Sequence, residues 1–144
     1  MSVTLDANLL LYASDEATPF HERARQLLVQ VAAGPDIVYL FWPTVMAYLR
    51  LATHPAVFER PLPPENAVAN VEALLALSHV QSPGEQERFW EVYRRVADDA
   101  DARGNLVPDA HLVSLMIENG VRAIWTHGRD YRRFSDIEVR DPFA

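Results

Sequence analysis

The chain has no cysteine and no lysine, and each absence removes whole classes of chemistry. Without cysteine there can be no disulfide, thiolate zinc site, iron–sulfur cluster or cysteine nucleophile. Without lysine there is no P-loop, no Schiff base, no kinase ion pair and no lysine of a response-regulator receiver. All 13 basic residues are arginine, for which a genome rich in G and C is the simplest source. Glycine is scarce, with 5 residues against 10 prolines. No apolar run approaches the ~20 residues that a membrane-spanning helix needs. The opening Met1-Ser2-Val3-Thr4-Leu5-Asp6 has no basic stretch ahead of a long apolar run, so no signal or transit peptide is expected and the expected location is cytoplasmic. His21, His54, His79, His111 and His127 show neither H-x-x-x-H nor H-E-x-x-H spacing, which argues against zinc.

What is present is the material of one domain. A length of 144 residues, 49% of them hydrophobic, suits a single α/β domain spanning the whole chain. The formal net charge of −7 opposes indiscriminate binding to a polyanion, so any contact with nucleic acid must be local.

Short apolar runs alternate with helical patterns. Val3 to Leu5 reads as a strand closed by Asp6, and Ala7 to Ala13 as a buried helix. Thr18-Pro19 suggests a helix start, with an apolar stripe through Leu27, Leu28 and Val31 up to Gly34-Pro35. Ile37 to Phe41 is a strand pattern, and Pro43 opens a helix to about Ala52. Helices are then expected from Ala67 to Leu77, from Pro83 to about Asp99 and from Pro108 to Gly120, with a strand from Val121 to Trp125. This order predicts a three-layer α/β/α sandwich around a central parallel sheet, in which ligands sit at the carboxyl ends of the strands.

Three acids are expected at that edge. Asp6 ends the first strand, Asp109 lies in the first turn of the helix opened by Pro108, and Asp130 lies just beyond the strand ending at Trp125. Each also has a structural reading, as a helix cap or a partner of a helix dipole. Gathered together they would repel one another unless a cation neutralised them, and oxygen ligands without cysteine or paired histidines select Mg²⁺, with Mn²⁺ as a substitute. His111 follows Asp109 by two positions, which turns it about 200° around the helix and away from joint ligation.

Four segments carry a resemblance. They are Leu5-Asp6-Ala7-Asn8-Leu9-Leu10-Leu11-Tyr12-Ala13, Tyr48 to Pro55, Gly104 to Leu112, and Thr126-His127-Gly128-Arg129-Asp130-Tyr131. In this order and spacing the chain resembles the PIN-domain ribonuclease toxins of the VapC kind. The resemblance implies a Mg²⁺-dependent endoribonuclease, the toxin of a toxin–antitoxin pair, forming a homodimer and neutralised by a VapB-like antitoxin. It places the family's first-strand aspartate on Asp6, its accompanying polar residue on Asn8 and its late-helix aspartate on Asp109. The family's usual helix glutamate falls on Ala47. Its closing T-x-D-x-D-F falls on Thr126, Gly128, Asp130 and Tyr131, so two customary acids are absent.

The activity so implied is hydrolysis of an RNA phosphodiester. Asp6 and Asp109 would hold the metal, with Asp130 completing the catalytic acids nearby or through water. Asn8, Thr126, Arg129 and Arg132 are the expected substrate contacts, the arginines as forks for flanking phosphates, although a solvated helix face explains the arginines equally well. Glycine at 128 marks either a lost ligand or a turn that needs positive φ. Two other classes stay open. One is a catalytically depleted PIN-like module that only binds RNA or a partner, favoured by Ala47 and Gly128. The other is a phosphoryl-transfer protein of the haloacid-dehalogenase or receiver kind, which would need a second carboxylate near Asp6 and a lysine.

Overall fold

In the structure, a computed structural model describing residues Met1–Ala144, the first apolar run becomes the central strand. Strand β1 (Ser2–Leu5) pairs in parallel with β2 (Ile37–Tyr39) on one side and with β4 (Ala123–Trp125) on the other. The outer strands β3 (Val80–Gln81) and β5 (Glu138–Arg140) complete a five-stranded sheet of order β3-β2-β1-β4-β5, every pair parallel. Because the order reverses direction at β1, a crevice opens between the carboxyl ends of β1 and β4, which is where open parallel sheets bind ligands.

Six helices cover the two faces: α1 (Ala7–Ser14), α2 (His21–Ala32), α3 (Trp42–Ala52), α4 (Pro64–Leu75), α5 (Phe89–Ala100) and α6 (Leu106–Glu118). Side chains alternate along a strand. Val3 and Leu5 accordingly enter one core with Leu9 and Leu10 of α1, Leu27 of α2, Tyr48 of α3 and Val71 of α4. Ile124 enters the other, with Val96 of α5 and Leu112, Val113, Leu115 and Met116 of α6. The layering expected from the sequence is therefore present.

Several boundaries differ from expectation. β3 and β5 escaped the sequence reading because two or three residues carry no period, and Glu138 and Arg140 on β5 bear the charges that suit an exposed edge. The helix expected from Pro83 begins only at Phe89: the Glu118 carboxylate accepts the backbone N–H groups of Gln86 (2.9 Å) and Arg88 (3.1 Å), holding that segment as a loop. α6 begins two residues before Pro108, where proline is tolerated because first-turn N–H groups have no intrahelical partner. Thr18 does not cap α2 directly; its hydroxyl accepts from Phe20 N in a preceding turn, and the helix starts at His21. Gly120, at φ 71, ends α6 as expected.

Candidate active site

Asp6 follows β1 at the amino end of α1, yet its side chain caps nothing there. Its backbone N–H extends the ladder by donating to Trp125 O at 3.0 Å. Its carboxylate instead turns across the crevice, where Oδ2 accepts the Thr126 hydroxyl at 2.7 Å. Thr126 is fully buried immediately after β4, and its own N–H donates to Arg140 O of β5 at 3.0 Å. The same hydroxyl oxygen accepts Gly128 N–H at 2.8 Å. Thr126 was expected as a substrate contact; in the structure its hydroxyl donates to Asp6 and accepts from Gly128, so it holds Asp6 in place.

Asp109 lies in the first turn of α6, half-buried and near enough to Asp6 for their charges to interact. Burial pushes its carboxyl up to about 6; the nearby Tyr131 hydroxyl opposes this, while Asp6 and Asp130 reinforce it. Burial likewise raises Asp6, against the hydrogen bond from Thr126. The Tyr131 phenol is pushed far above its ordinary range by burial and by the charges of Asp6 and Asp109, so it remains a hydrogen-bond donor. The sequence placed Tyr131 on a position that is usually phenylalanine; its hydroxyl is a functional group that this correspondence could not show.

Asp130 sits on a short 3-10 helix (Arg129–Arg133), exposed, and reaches Asp109 through charge rather than by closing a cluster. No three His, Cys, Asp or Glu side chains stand together as ready metal ligands. The site is thus a facing pair, Asp6 and Asp109, with a third carboxylate farther out. Asn8, the second residue of α1, has its Oδ1 buried without any partner, an orphaned oxygen two positions after Asp6.

Gly128 settles its own question. Its backbone, at φ −76 and ψ 124, is one that any residue adopts, so positive φ is not the reason for glycine. A Cβ built there would lie 3.2 Å from Thr126 Oγ1 and 3.6 Å from Asp6 Oδ2. Position 128 therefore adjoins Asp6, and a side chain there would need the Thr126 hydroxyl to give way by a few tenths of an ångström. Ala47, half-buried on α3, brings no carboxylate from that side either.

Arg129 and Arg132 are exposed and line a polar cavity of about 400 Å³ with Thr126, His127, Gly128 and Asp141. Within it His127 Nδ1 meets Asp141 Oδ2 at 2.9 Å, a pairing no sequence signal announced because the tail must fold back to make it. His111, by contrast, turns away from Asp109 to Glu85 at 2.7 Å, as its helical offset required.

Comparison with known proteins agrees with this fold. A model of the PIN domain matches residues 3–137. Ribonuclease VapC48 of Mycobacterium tuberculosis is 51% identical over 144 residues, covering 100% of this chain and 99% of that protein. Ribonuclease VapC43 of the same organism is 33% identical over 139 residues, covering 96% and 93%. Among solved structures, VapC20 of M. tuberculosis, described as a sarcin–ricin loop cleaving toxin, superposes with a TM-score of 0.70 at 17% identity, over 96% of this chain and 98% of that one. VapBC-1 from nontypeable Haemophilus influenzae superposes with a TM-score of 0.70 at 17% identity, covering 100% of both chains.

Proposed function

Since the chain belongs to the PIN-domain family, among its VapC ribonucleases, we propose that it is the toxin of a toxin–antitoxin pair and hydrolyses RNA phosphodiester bonds at the Asp6–Asp109 crevice. The observation that carries this reading is the electrostatic cost of that pair. Two carboxylates are held together at the sheet's switch point, both pushed up by burial, and Asp109 is pushed further by Asp6 and Asp130. A fold keeps such a pair where a cation relieves it.

The donor set is all oxygen, which fits Mg²⁺ or Mn²⁺, and the unpartnered Asn8 oxygen is of the same type. Asp6 and Asp109 would hold the ion, and when bound it supplies an acidified water and stabilises charge on the phosphoryl oxygens. The protein's own part is orientation. Thr126 fixes Asp6 across 120 positions of sequence, and the Tyr131 hydroxyl favours ionised Asp109. Asp130 adds negative charge at the rim, while Arg129 and Arg132 take the phosphates that flank the cut. RNA as substrate puts the working compartment in the cytoplasm.

Two surfaces suit the partners. An apolar cleft of about 440 Å³, lined by Leu10, Leu28, Val29, Val71, Leu74 and Leu77, fits the apolar face of a VapB-like antitoxin helix. Trp42 and Met46, one turn apart on α3 and both exposed, offer a face for a second copy of the chain.

The test is cleavage of a mixed RNA pool in Mg²⁺, in Mn²⁺ and in EDTA, by the wild type and by Asp6→Asn. Metal-dependent cleavage that falls at least a hundredfold in the variant supports the reading. A second reading, a depleted RNA-binding module, is favoured by glycine and alanine at positions 128 and 47, where acids are absent. RNA bound but uncut under every metal condition would establish it instead.

A further inference from the structure

His127 and Asp141 form a pair that the reaction outlined above does not use. Asp141 lies just past β5, and its side chain is only 15% exposed. One of its oxygens accepts Phe143 N–H at 2.9 Å and the other meets His127 Nδ1 at 2.9 Å. Although burial pushes Asp141 up, the Phe143 N–H, His127 and Arg132 together hold its carboxyl below the ordinary range. An ionised carboxylate only accepts hydrogen bonds, so the proton of the contact resides on Nδ1, and in the neutral tautomer this contact selects, the ring's lone pair lies on Nε2.

The ring is also fixed in position. It sits 4.9 Å from Phe20 and 5.1 Å from Phe143, centroid to centroid, with Tyr12 at 6.3 Å. Nε2 has no partner within the protein and is not sealed from solvent. It belongs to a residue lining the polar cavity that Arg129 and Arg132 also line, and Gly128, on the same cavity, adjoins Asp6. A single cavity next to the carboxylate pair therefore offers two phosphate-binding guanidinium groups and one oriented acceptor.

Most hydrogen-bonding groups along a single-stranded nucleic acid backbone are acceptors. The ribose 2′-hydroxyl is the backbone group that donates, and it is what distinguishes RNA from DNA. Resting on the ribonuclease reading, we propose that His127 is the ribose-reading residue: its Nε2 accepts the 2′-hydroxyl of the nucleotide whose phosphate lies on Arg129 and Arg132, and Asp141 is the positioning residue that keeps that acceptor free. Discrimination against DNA is then located in one oriented imidazole.

The experiment is fluorescence anisotropy in EDTA, so that nothing is cut. It compares a labelled random-sequence single-stranded RNA pool with the same pool made of 2′-deoxy sugars, deoxyuridine included. Wild type should bind the ribose pool about tenfold more tightly, the worth of one good hydrogen bond. His127→Phe keeps an aromatic ring against Phe20 and Phe143 and should bind the two pools within about twofold of each other. Asp141→Ala keeps the imidazole but frees it to rotate and should show an intermediate preference, with melting curves of both variants confirming the fold. Equal binding of the two pools by wild type, or an undiminished preference in His127→Phe, overturns the proposal. A ribose preference that depends on His127 in a protein that cuts no RNA in Mn²⁺ supports this subsite and removes the ribonuclease reading alone.

Discussion

Replacing Asp109 with asparagine should make the metal-free protein more stable, even though it removes a proposed metal ligand. The carboxyl is raised from an ordinary 3.8 to about 6, first by burial and then by Asp6 and Asp130. Each pKa unit corresponds to about 1.4 kcal/mol; Asp109 is only half-buried, so solvent screening discounts the total to roughly 1–2 kcal/mol. Because the folded-state value is raised, the protonated residue is the better tolerated form. Its contribution is fully favourable below pH ~4 and is lost as pH rises through about 6. Asparagine resembles the protonated acid at every pH and still accepts the Tyr131 hydroxyl. The gain should therefore be absent at pH 4 and complete by pH 8, where it raises Tm by about 3–6 °C for a domain of this size. Differential scanning calorimetry in EDTA across that range is the assay. Adding Mn²⁺ at pH 8 should reverse the order, stabilising wild type far more than the variant. An equal Tm for both proteins at pH 8 in EDTA, or the same gain at pH 4 as at pH 8, would refute the idea that carboxylate repulsion strains this site.

Gly128→Asp should lower Tm in EDTA, because a carboxylate is added beside Asp6, yet tighten Mg²⁺ binding roughly tenfold by calorimetry, since affinity for hard cations rises with ligand charge. The backbone dihedrals at 128 suit aspartate, although its Cβ presses on Thr126 Oγ1 at 3.2 Å; the same loss of Tm in EDTA and in saturating Mg²⁺ would show the position to be structural only. Thr126→Val removes the donor to Asp6 and strands the Gly128 N–H, and should cost about 2 kcal/mol in urea unfolding while weakening Mn²⁺ binding. Tyr131→Phe removes the hydroxyl that favours ionised Asp109, so the Asp109 carboxyl should titrate above its present value of about 6 when followed by carbon NMR; no upward movement would remove Tyr131 from the site.

The parts of this site that were legible in the sequence are those carried by strand ends and helix starts. Asp6 after an apolar run and Asp109 in a proline-marked helix turn could be assigned to one edge of a parallel sheet before any coordinates, because topology alone brings those places together. Thr126 was placed at the same edge, but its hold on Asp6 was not foreseen: nothing in the sequence says whether a hydroxyl points to solvent or to a carboxylate 120 positions away. The reason for Gly128 was equally hidden, since only a backbone dihedral separates a needed glycine from a vacated position. The His127–Asp141 pair depends on the return of the tail after β5, a strand of three residues with no period to read. Glu118 shows the opposite failure, where two backbone N–H groups captured by one distant carboxylate overrode a helical pattern.

The central position of β1 has a consequence for the order of events at the ribosome. Asp6 emerges among the first residues, yet Thr126, which fixes it, is made 120 residues later. At roughly 5–20 residues per second that interval is about 6–24 s. During it β1 can zip to β2, but its other edge stays open until β4 arrives. For most of that time the nascent chain lacks Asp109 as well, and until Thr126 arrives Asp6 has no partner to hold it, so the crevice is not yet assembled. The same delay leaves an unpaired hydrophobic strand edge exposed, and chaperones or an early-docking partner are most needed in that window. A circular permutant that brought residues 6 and 126 close in sequence would shorten the wait and should be harder to express.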